Sequence, residues 1–305
     1  MKVLASGLRF PEGPVAMRDG SVCVVEIAAG RISRISPDGR LSVLAETGGG
    51  PNGMAAGPDG ALYVCNNGGF LVREVEGETR VIHGELPGDY KTGSIQRVDP
   101  ASGRVTVLYT HCGDTPLSAP NDLVFDAQGG FYFTDFGKIR KHSRDIGSVY
   151  YALPDGSHIR EVAHPLANPN GVGLSPDGRT LYVAETETAR LWAYDVLEPG
   201  KLSHSGFPSP NGARLVCGLP GYQRFDSLAV QADGSICVGT LITAKITVIA
   251  PDGRVLREVG MPDRYPTNIC FGGPDMRKAY VTLSLTGKLI ELDWDEPGLP
   301  LNHGA

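Results

Sequence analysis

Pro169-Asn170-Gly171-Val172-Gly173-Leu174-Ser175-Pro176-Asp177-Gly178-Arg179-Thr180-Leu181-Tyr182-Val183-Ala184-Glu185 holds a short apolar run, a Pro-Asp-Gly turn and a second apolar run that ends on an acid. Turn residues between two β-rich runs are the sequence form of a hairpin. The chain writes this unit six times. Glu12-Gly13-Pro14 leads to Arg18-Asp19-Gly20 and the run from Val22 to Val25; Asn52-Gly53-Met54 leads to Pro58-Asp59-Gly60 and Leu62-Tyr63-Val64. Asn121-Asp122-Leu123 leads to Gln128-Gly129-Gly130 and Phe131-Tyr132-Phe133. Asp226-Ser227-Leu228 leads to Ala232-Asp233-Gly234 and Ile236-Cys237-Val238, and Asn268-Ile269-Cys270 to Gly273-Pro274-Asp275 and Ala279-Tyr280-Val281. A repeat built only of strand and turn, at about 40 to 50 residues, predicts an all-β propeller whose blades surround a channel. Six copies predict six blades, and a single domain over residues 1–305.

Each copy opens on a polar side chain: Glu12, Asn52, Asn121, Asn170, Asp226 or Asn268. Equivalent positions in successive blades lie at one height around the axis, so these six groups should ring the channel mouth. Most ring spacings fit one blade, but 52 to 121 is 69 residues. That interval contains a further strand pair, Gly93 to Val98 and Arg104 to Tyr109, as the outer part of blade 2. Leu71 to His83 and Gly84 to Lys91 then form an excursion, and long loops in compact domains are often functional. Met1 to Leu8 reads as a strand outside the repeat that completes the last blade. Val196 to Pro210, rich in Pro, Gly and Ser, reads as a loop.

Bulk composition excludes several classes. The 305 residues are 41% hydrophobic with 41 Gly and 23 Pro, which suits a loop-rich globular β protein. A formal charge of −6 leaves no basic excess to neutralise phosphates, so nucleic acid is not an expected partner. No apolar run approaches the roughly 20 residues that span a bilayer, and no secretory h-region is visible. A cytoplasmic protein without membrane attachment is the expectation. The six cysteines contain no Cys-x-x-Cys pair and fall mostly in strands, so they read as small buried hydrophobes.

Glu12, Asn121, Asn170 and Asp226 together offer two carboxylates and two amide oxygens, a hard-oxygen set whose charge of −2 balances one divalent cation. Calcium takes 6 to 8 such oxygens, and magnesium or manganese an octahedron completed by water. The alternative is a wet channel in which the ring hydrogen-bonds backbone and water. Glu26, Asp135 and Glu185 close the second strands and read mainly as exposed strand ends. Arg224, two residues before Asp226, points the same way by strand alternation, toward a substrate anion or an ion pair. No Gly-x-Ser-x-Gly elbow or phosphate-binding glycine loop appears in a strand-to-helix setting.

Several motifs also occur in order along nearly the whole chain: Pro11-Glu12-Gly13-Pro14, Pro120-Asn121-Asp122, Asn170-Gly171-Val172 with Ser175-Pro176-Asp177-Gly178, Phe225-Asp226-Ser227-Leu228-Ala229-Val230, and Thr267-Asn268-Ile269-Cys270-Phe271-Gly272-Gly273-Pro274-Asp275. With them the sequence resembles the senescence marker protein/gluconolactonase family, which includes regucalcin. The resemblance implies a six-bladed propeller with one divalent metal on its axis and, usually, lactone hydrolysis. By matching motif, it implies Glu12, Asn170 and Asp226 as metal ligands, and Asn121 as a fourth ligand or a substrate-orienting group. Asn52, Asn268 and Arg224 are then candidate substrate contacts, with Asp226 and Asn121 the candidate catalytic pair. The metal expected is calcium first, with magnesium, manganese, zinc or iron as alternatives. The substrate expected is a small lactone or ester: an aldonolactone first, a non-sugar ester or phosphotriester second. A non-catalytic calcium- or ligand-binding propeller is the reading from a different class. Val15-Ala16, Ala119 and Ser227 depart from the family's usual residues and point to a less hydroxylated substrate.

Overall fold

The computed structural model describes residues 1–82 and 84–304, and among them the six hairpins are the inner halves of six four-stranded antiparallel blades. Blade 1 runs Pro11–Ala16, Val22–Glu26, Arg31–Ile35 and Leu41–Glu46, from axis to rim. Blade 2 runs Pro51–Ala56, Leu62–Asn66, Ser94–Val98 and Val105–Tyr109, so its outer pair comes from the long interval as expected. Blade 3 runs Pro120–Phe125, Phe131–Asp135, Gly147–Ala152 and Ile159–Leu166; blade 4 runs Pro169–Leu174, Thr180–Glu185, Arg190–Glu198 and Arg214–Gly218. Blade 5 runs Arg224–Val230, Ile236–Leu241, Lys245–Ile249 and Val255–Gly260. Blade 6 takes Pro266–Gly272, Lys278–Leu283 and Lys288–Asp293, and its fourth strand is Lys2–Ser6 from the other end of the chain. Lys2 stands opposite Glu291 and Ser6 opposite Lys288, which closes the ring. Inner strands of consecutive blades touch all the way round, blade 6 against blade 1 included. No described residue is helical, so nothing here is a helix long and apolar enough to cross a membrane.

The second strands read as continuous apolar runs because each is covered on both faces by neighbouring blades. Phe131, Tyr132 and Phe133 are all buried. Strand alternation sends Phe131 and Phe133 toward blade 2, among Tyr63 and Phe125, and Tyr132 toward blade 4, among Leu181 and Tyr194. Tyr63 meets Phe125 edge-on, with centroids 5.1 Å apart. Such a pair adds about 0.5–1.5 kcal/mol beyond the area it buries.

One expected loop differs. The chain stays in strand through Glu198 and turns at Gly200 into the two-residue strand Lys201–Leu202. Gly200 takes φ 67° there and donates its N–H to the Tyr132 hydroxyl at 2.9 Å, a tie between blades that composition does not reveal. His83, part of the expected excursion, lies outside the described residues.

Candidate functional site

All six ring residues are buried near the start of their blades' inner strands, but Asn268 is not at the expected equivalent place. Glu12, Asn52, Asn121 and Asn170 each come second in their strands, after a proline, where blade 6 has Thr267 and Asn268 follows it. The register places Pro11 opposite Glu26 and Pro120 opposite Asp135. The loops that leave the second strands therefore emerge at the same mouth as the ring.

The strand-end acids hold that mouth in shape, and the expectation that they are exposed is wrong. Glu26, Asp135 and Glu185 are buried. Glu26 accepts the Arg9 N–H at 2.7 Å, Ser33 Oγ at 2.5 Å and Arg31 Nε at 2.8 Å. Asp135 accepts the N–H groups of Ala119 and Ser118 at 2.6 and 2.7 Å, and burial pushes its pKa up. Glu185 accepts the Ala167 N–H at 2.8 Å, and Asn66 does the same for Gly50 at 2.9 Å. Each side chain thus satisfies the orphan backbone that leads into an inner strand, where an unmet donor would cost about 1–3 kcal/mol. The sequence signal was present: Glu26, Asn66 and Asp135 each follow their ring residue by 14 positions.

At the ring itself, Glu12 Oε2 accepts the Gly13 N–H at 2.7 Å and Asn268 Nδ2 at 2.8 Å. Asn170 donates to Thr186 Oγ1 at 3.1 Å, while its Oδ1 receives only a long bond, 3.3 Å, from Ser227. Asn121 Oδ1 is fully buried and has no hydrogen-bond partner among the described residues. Asn52 sits buried at the equivalent place in blade 2. Arg224 stands at the same mouth in a partly exposed ion pair with Glu187 at 3.0 Å, so a substrate anion would compete with that carboxylate.

Asp122 is the site residue that the sequence reading missed. Each inner strand shifts register after its first residues, between Pro120 and Leu123 in blade 3. The residue after the ring position therefore does not obey the two-residue alternation. Blades 2 and 4 have glycine there because the next blade comes so close. A Cβ on Gly53 would lie 2.6 Å from Asp122 Oδ1, and one on Gly171 would lie 2.5 Å from the Leu228 nitrogen. The space left by Gly53 receives the Asp122 side chain, and that by Gly171 receives Ser227.

Three buried carboxyls, Glu12, Asp122 and Asp226, consequently share the axis, and among the described residues no cationic side chain is paired to them. Burial pushes Glu12 up to about 7. Burial, then the Glu12 charge, pushes Asp122 up to about 7. Burial, then Glu12, drives Asp226 well above the usual range, partly offset by the Asn170 amide. No three His, Cys, Asp or Glu side chains among the described residues are placed to hold an ion by themselves. A cation here therefore depends on the amide oxygens, and the unpartnered Asn121 Oδ1 and weakly bonded Asn170 Oδ1 fit that need.

The opposite mouth opens into a cavity of about 510 Å³, walled by apolar residues such as Val15, Met54, Leu174 and Phe271, with Asp122 and Asn268 at its inner end. The polar groups that could do chemistry are the ring's.

A six-bladed propeller with a ring of buried carboxyls and amides at one axial mouth is the class that this fold and site define. Residues 10–285 match the model of the SMP-30/gluconolactonase/LRE-like region, and the chain belongs to that family. A lactonase drp35 of Staphylococcus saprophyticus is 30% identical, over 87% of this chain and 73% of that protein. A gluconolactonase of Zymomonas mobilis is 27% identical, over 89% of this chain and 76% of that one. Among solved structures, a gluconolactonase of Xanthomonas campestris superimposes with TM-score 0.75 at 22% identity, covering 97% of this chain and 89% of that one. A calcium-binding regucalcin of Agrobacterium tumefaciens does so with TM-score 0.75 at 19% identity, covering 98% and 97%. At these identities the structural likenesses speak for the fold.

Proposed function

We propose that this protein is a divalent-cation-dependent lactonase that opens a small cyclic ester at the axial ring. The observation that carries the reading is the buried Asn121 Oδ1, unpartnered among the described residues, in a ring that also holds the buried carboxyls Glu12 and Asp226. Relatives named lactonase and gluconolactonase support it. Glu12, Asn170 and Asp226, with Asn121, would hold the ion, calcium being the first choice for an all-oxygen set. Bound there, a divalent cation supplies Lewis-acid polarisation of an ester carbonyl, worth several kcal/mol at the transition state. Asp226 accepts the proton of the attacking water, a general-base contribution of about 10²–10⁴-fold. Asn121 orients the ester through its amide. Thr186 accepts from the Asn170 Nδ2 and so fixes the amide, leaving Oδ1 with only the long Ser227 bond and free to take an ion. The deciding experiment is turnover of a panel of lactones, esters and phosphotriesters by chelated protein, with and without added calcium, magnesium, manganese or zinc. Lactone hydrolysis that appears only with metal is the expected result; metal binding without turnover of any substrate would refute the enzymatic reading.

A further inference from the structure

Between the second and third strands of blade 2 the chain leaves the propeller at the ring's mouth and forms a separate two-stranded hairpin, Leu71–Val75 with Glu78–Ile82. The hairpin rests on blades other than its own. Thr79 donates its N–H to the Leu285 carbonyl, just after blade 6's second strand, at 2.8 Å. Glu78 meets Arg264, just before blade 6, at 3.1 Å, and Glu74 meets Arg9, ahead of blade 1, at 3.2 Å. Beneath it Phe70 and Val81 pack on the buried Phe10, Ile27 and Leu285, together with Tyr265. Two of these adjoin the ring in sequence: Phe10 is two residues before Glu12, and Tyr265 three before Asn268. Blade 3 holds the base of the hairpin through Lys138. This wholly buried side chain donates Nζ to the Gly69 carbonyl at 2.7 Å and lies 4.2 Å from the Phe70 ring centroid and 4.9 Å from that of Tyr90. The hairpin thus rests on blades 1 and 6 through an apolar underside flanked by the ion pairs of Glu74 and Glu78, while Glu187 of blade 4 and Arg224 of blade 5 pair elsewhere at the mouth.

We propose that the segment from Phe70 to Ile82 covers the ring and that its apolar underside selects lactones carrying an alkyl or aryl substituent over polyhydroxylated ones. The inference rests on the lactonase reading and names its substrate class. Substrate hydroxyls turned toward Phe70, Val81 and Phe10 find no partner there, and each one buried unmet costs about 1–3 kcal/mol. An alkyl chain in the same place gains about 0.8 kcal/mol for each methylene taken out of water.

The test compares kcat/KM for δ-decalactone, δ-valerolactone and glucono-δ-lactone at saturating metal. The wild-type protein is expected to prefer δ-decalactone. Phe70→Ala should lower its kcat/KM by about 10-fold or more while changing δ-valerolactone by less than about 2-fold, and Phe70→Leu should recover most of the loss. Preference for glucono-δ-lactone, or an equal loss on all three substrates, would overturn the proposal. If no lactone is turned over with any metal, the lactonase reading itself fails. The subsite then stands or falls on calorimetric binding of 5-hydroxydecanoate to metal-loaded protein: weaker binding by Phe70→Ala supports it, and unchanged binding overturns it.

Discussion

Replacing Glu12 by Gln should make the metal-free protein more stable at pH 8 while removing its response to metal. In the chelated protein Glu12 is raised from 4.5 to about 7, with burial the first cause. The folded state therefore holds a proton that the unfolded chain releases between about pH 4.5 and 7. Stability from this group is full at low pH and falls as pH rises, with the loss complete above about 7. At 1.36 kcal/mol per pKa unit the loss approaches about 3 kcal/mol. That is a ceiling, because Asp122 and Asp226 share the same repulsion and relax when Glu12 ionises. Gln keeps the oxygen that accepts from Gly13 and Asn268 but carries no charge, so the variant escapes the loss. Metal acts in the opposite sense: it needs the carboxylates ionised and should restore wild-type stability above pH 7. The assay is urea unfolding at pH 5 and pH 8, with chelator and with added calcium. Wild-type protein with chelator should be weaker at pH 8 than at pH 5, and Glu12→Gln should show a smaller fall and little calcium response. A variant less stable than wild type at pH 8 in chelator, or stabilised by calcium as strongly as wild type, would refute the reasoning.

Asp226→Asn keeps a coordinating oxygen and loses the base; kcat on the best lactone, measured at full metal occupancy, should fall about 10²–10⁴-fold, and near wild-type turnover would assign the base elsewhere. Asn121→Ala should raise KM more than it lowers kcat if its amide mainly orients the ester, a split that steady-state kinetics at saturating metal will read directly. Burial lowers the Lys138 pKa to about 7, so the unfolded chain takes up a proton between about pH 10.5 and 7 that the folded one does not. The wild-type protein should therefore gain stability relative to Lys138→Met as pH rises across that window, by a few kcal/mol in paired unfolding curves. A pH-independent difference would mean that the ammonium is better solvated than its burial implies. Glu26→Ala strands the Arg9 N–H and the Ser33 hydroxyl; about 1–3 kcal/mol of stability should go, with metal affinity less affected than in Glu12→Ala.

The fold was legible because six hairpins with Pro-Asp-Gly-type turns leave few alternatives to a propeller, and because a polar residue recurs near the start of each unit, although in blade 6 Asn268 stands one place beyond the equivalent Thr267. The strand-end acids were harder. Nothing in Glu26 or Glu185 by itself says whether the side chain faces water or turns back to the Arg9 or Ala167 N–H. The constant 14-residue offset from the ring, shared by Glu26, Asn66 and Asp135, is the clue that they do one job. Asp122 escaped because alternation, the usual guide to strand faces, fails at the register shift after Pro120. In the first five blades the column Gly13, Gly53, Asp122, Gly171 and Ser227 recorded the exception: beside three Gly and one Ser, an acid marks space that the preceding blade has vacated. The cover over the ring was visible only as surplus length, since an insertion's composition does not say which blades it will rest upon.

Closure of blade 6 by Lys2–Ser6 has a consequence for how the protein comes to be made. The segment that seals the ring is among the earliest synthesised, yet its partner, Lys288–Asp293, emerges more than 280 residues later. Until then Lys2–Ser6 waits without a neighbour while five blades gather behind it. The nascent chain is thus an open arc with an unpaired strand at each end, the state in which chains of this kind pair with one another instead of with themselves.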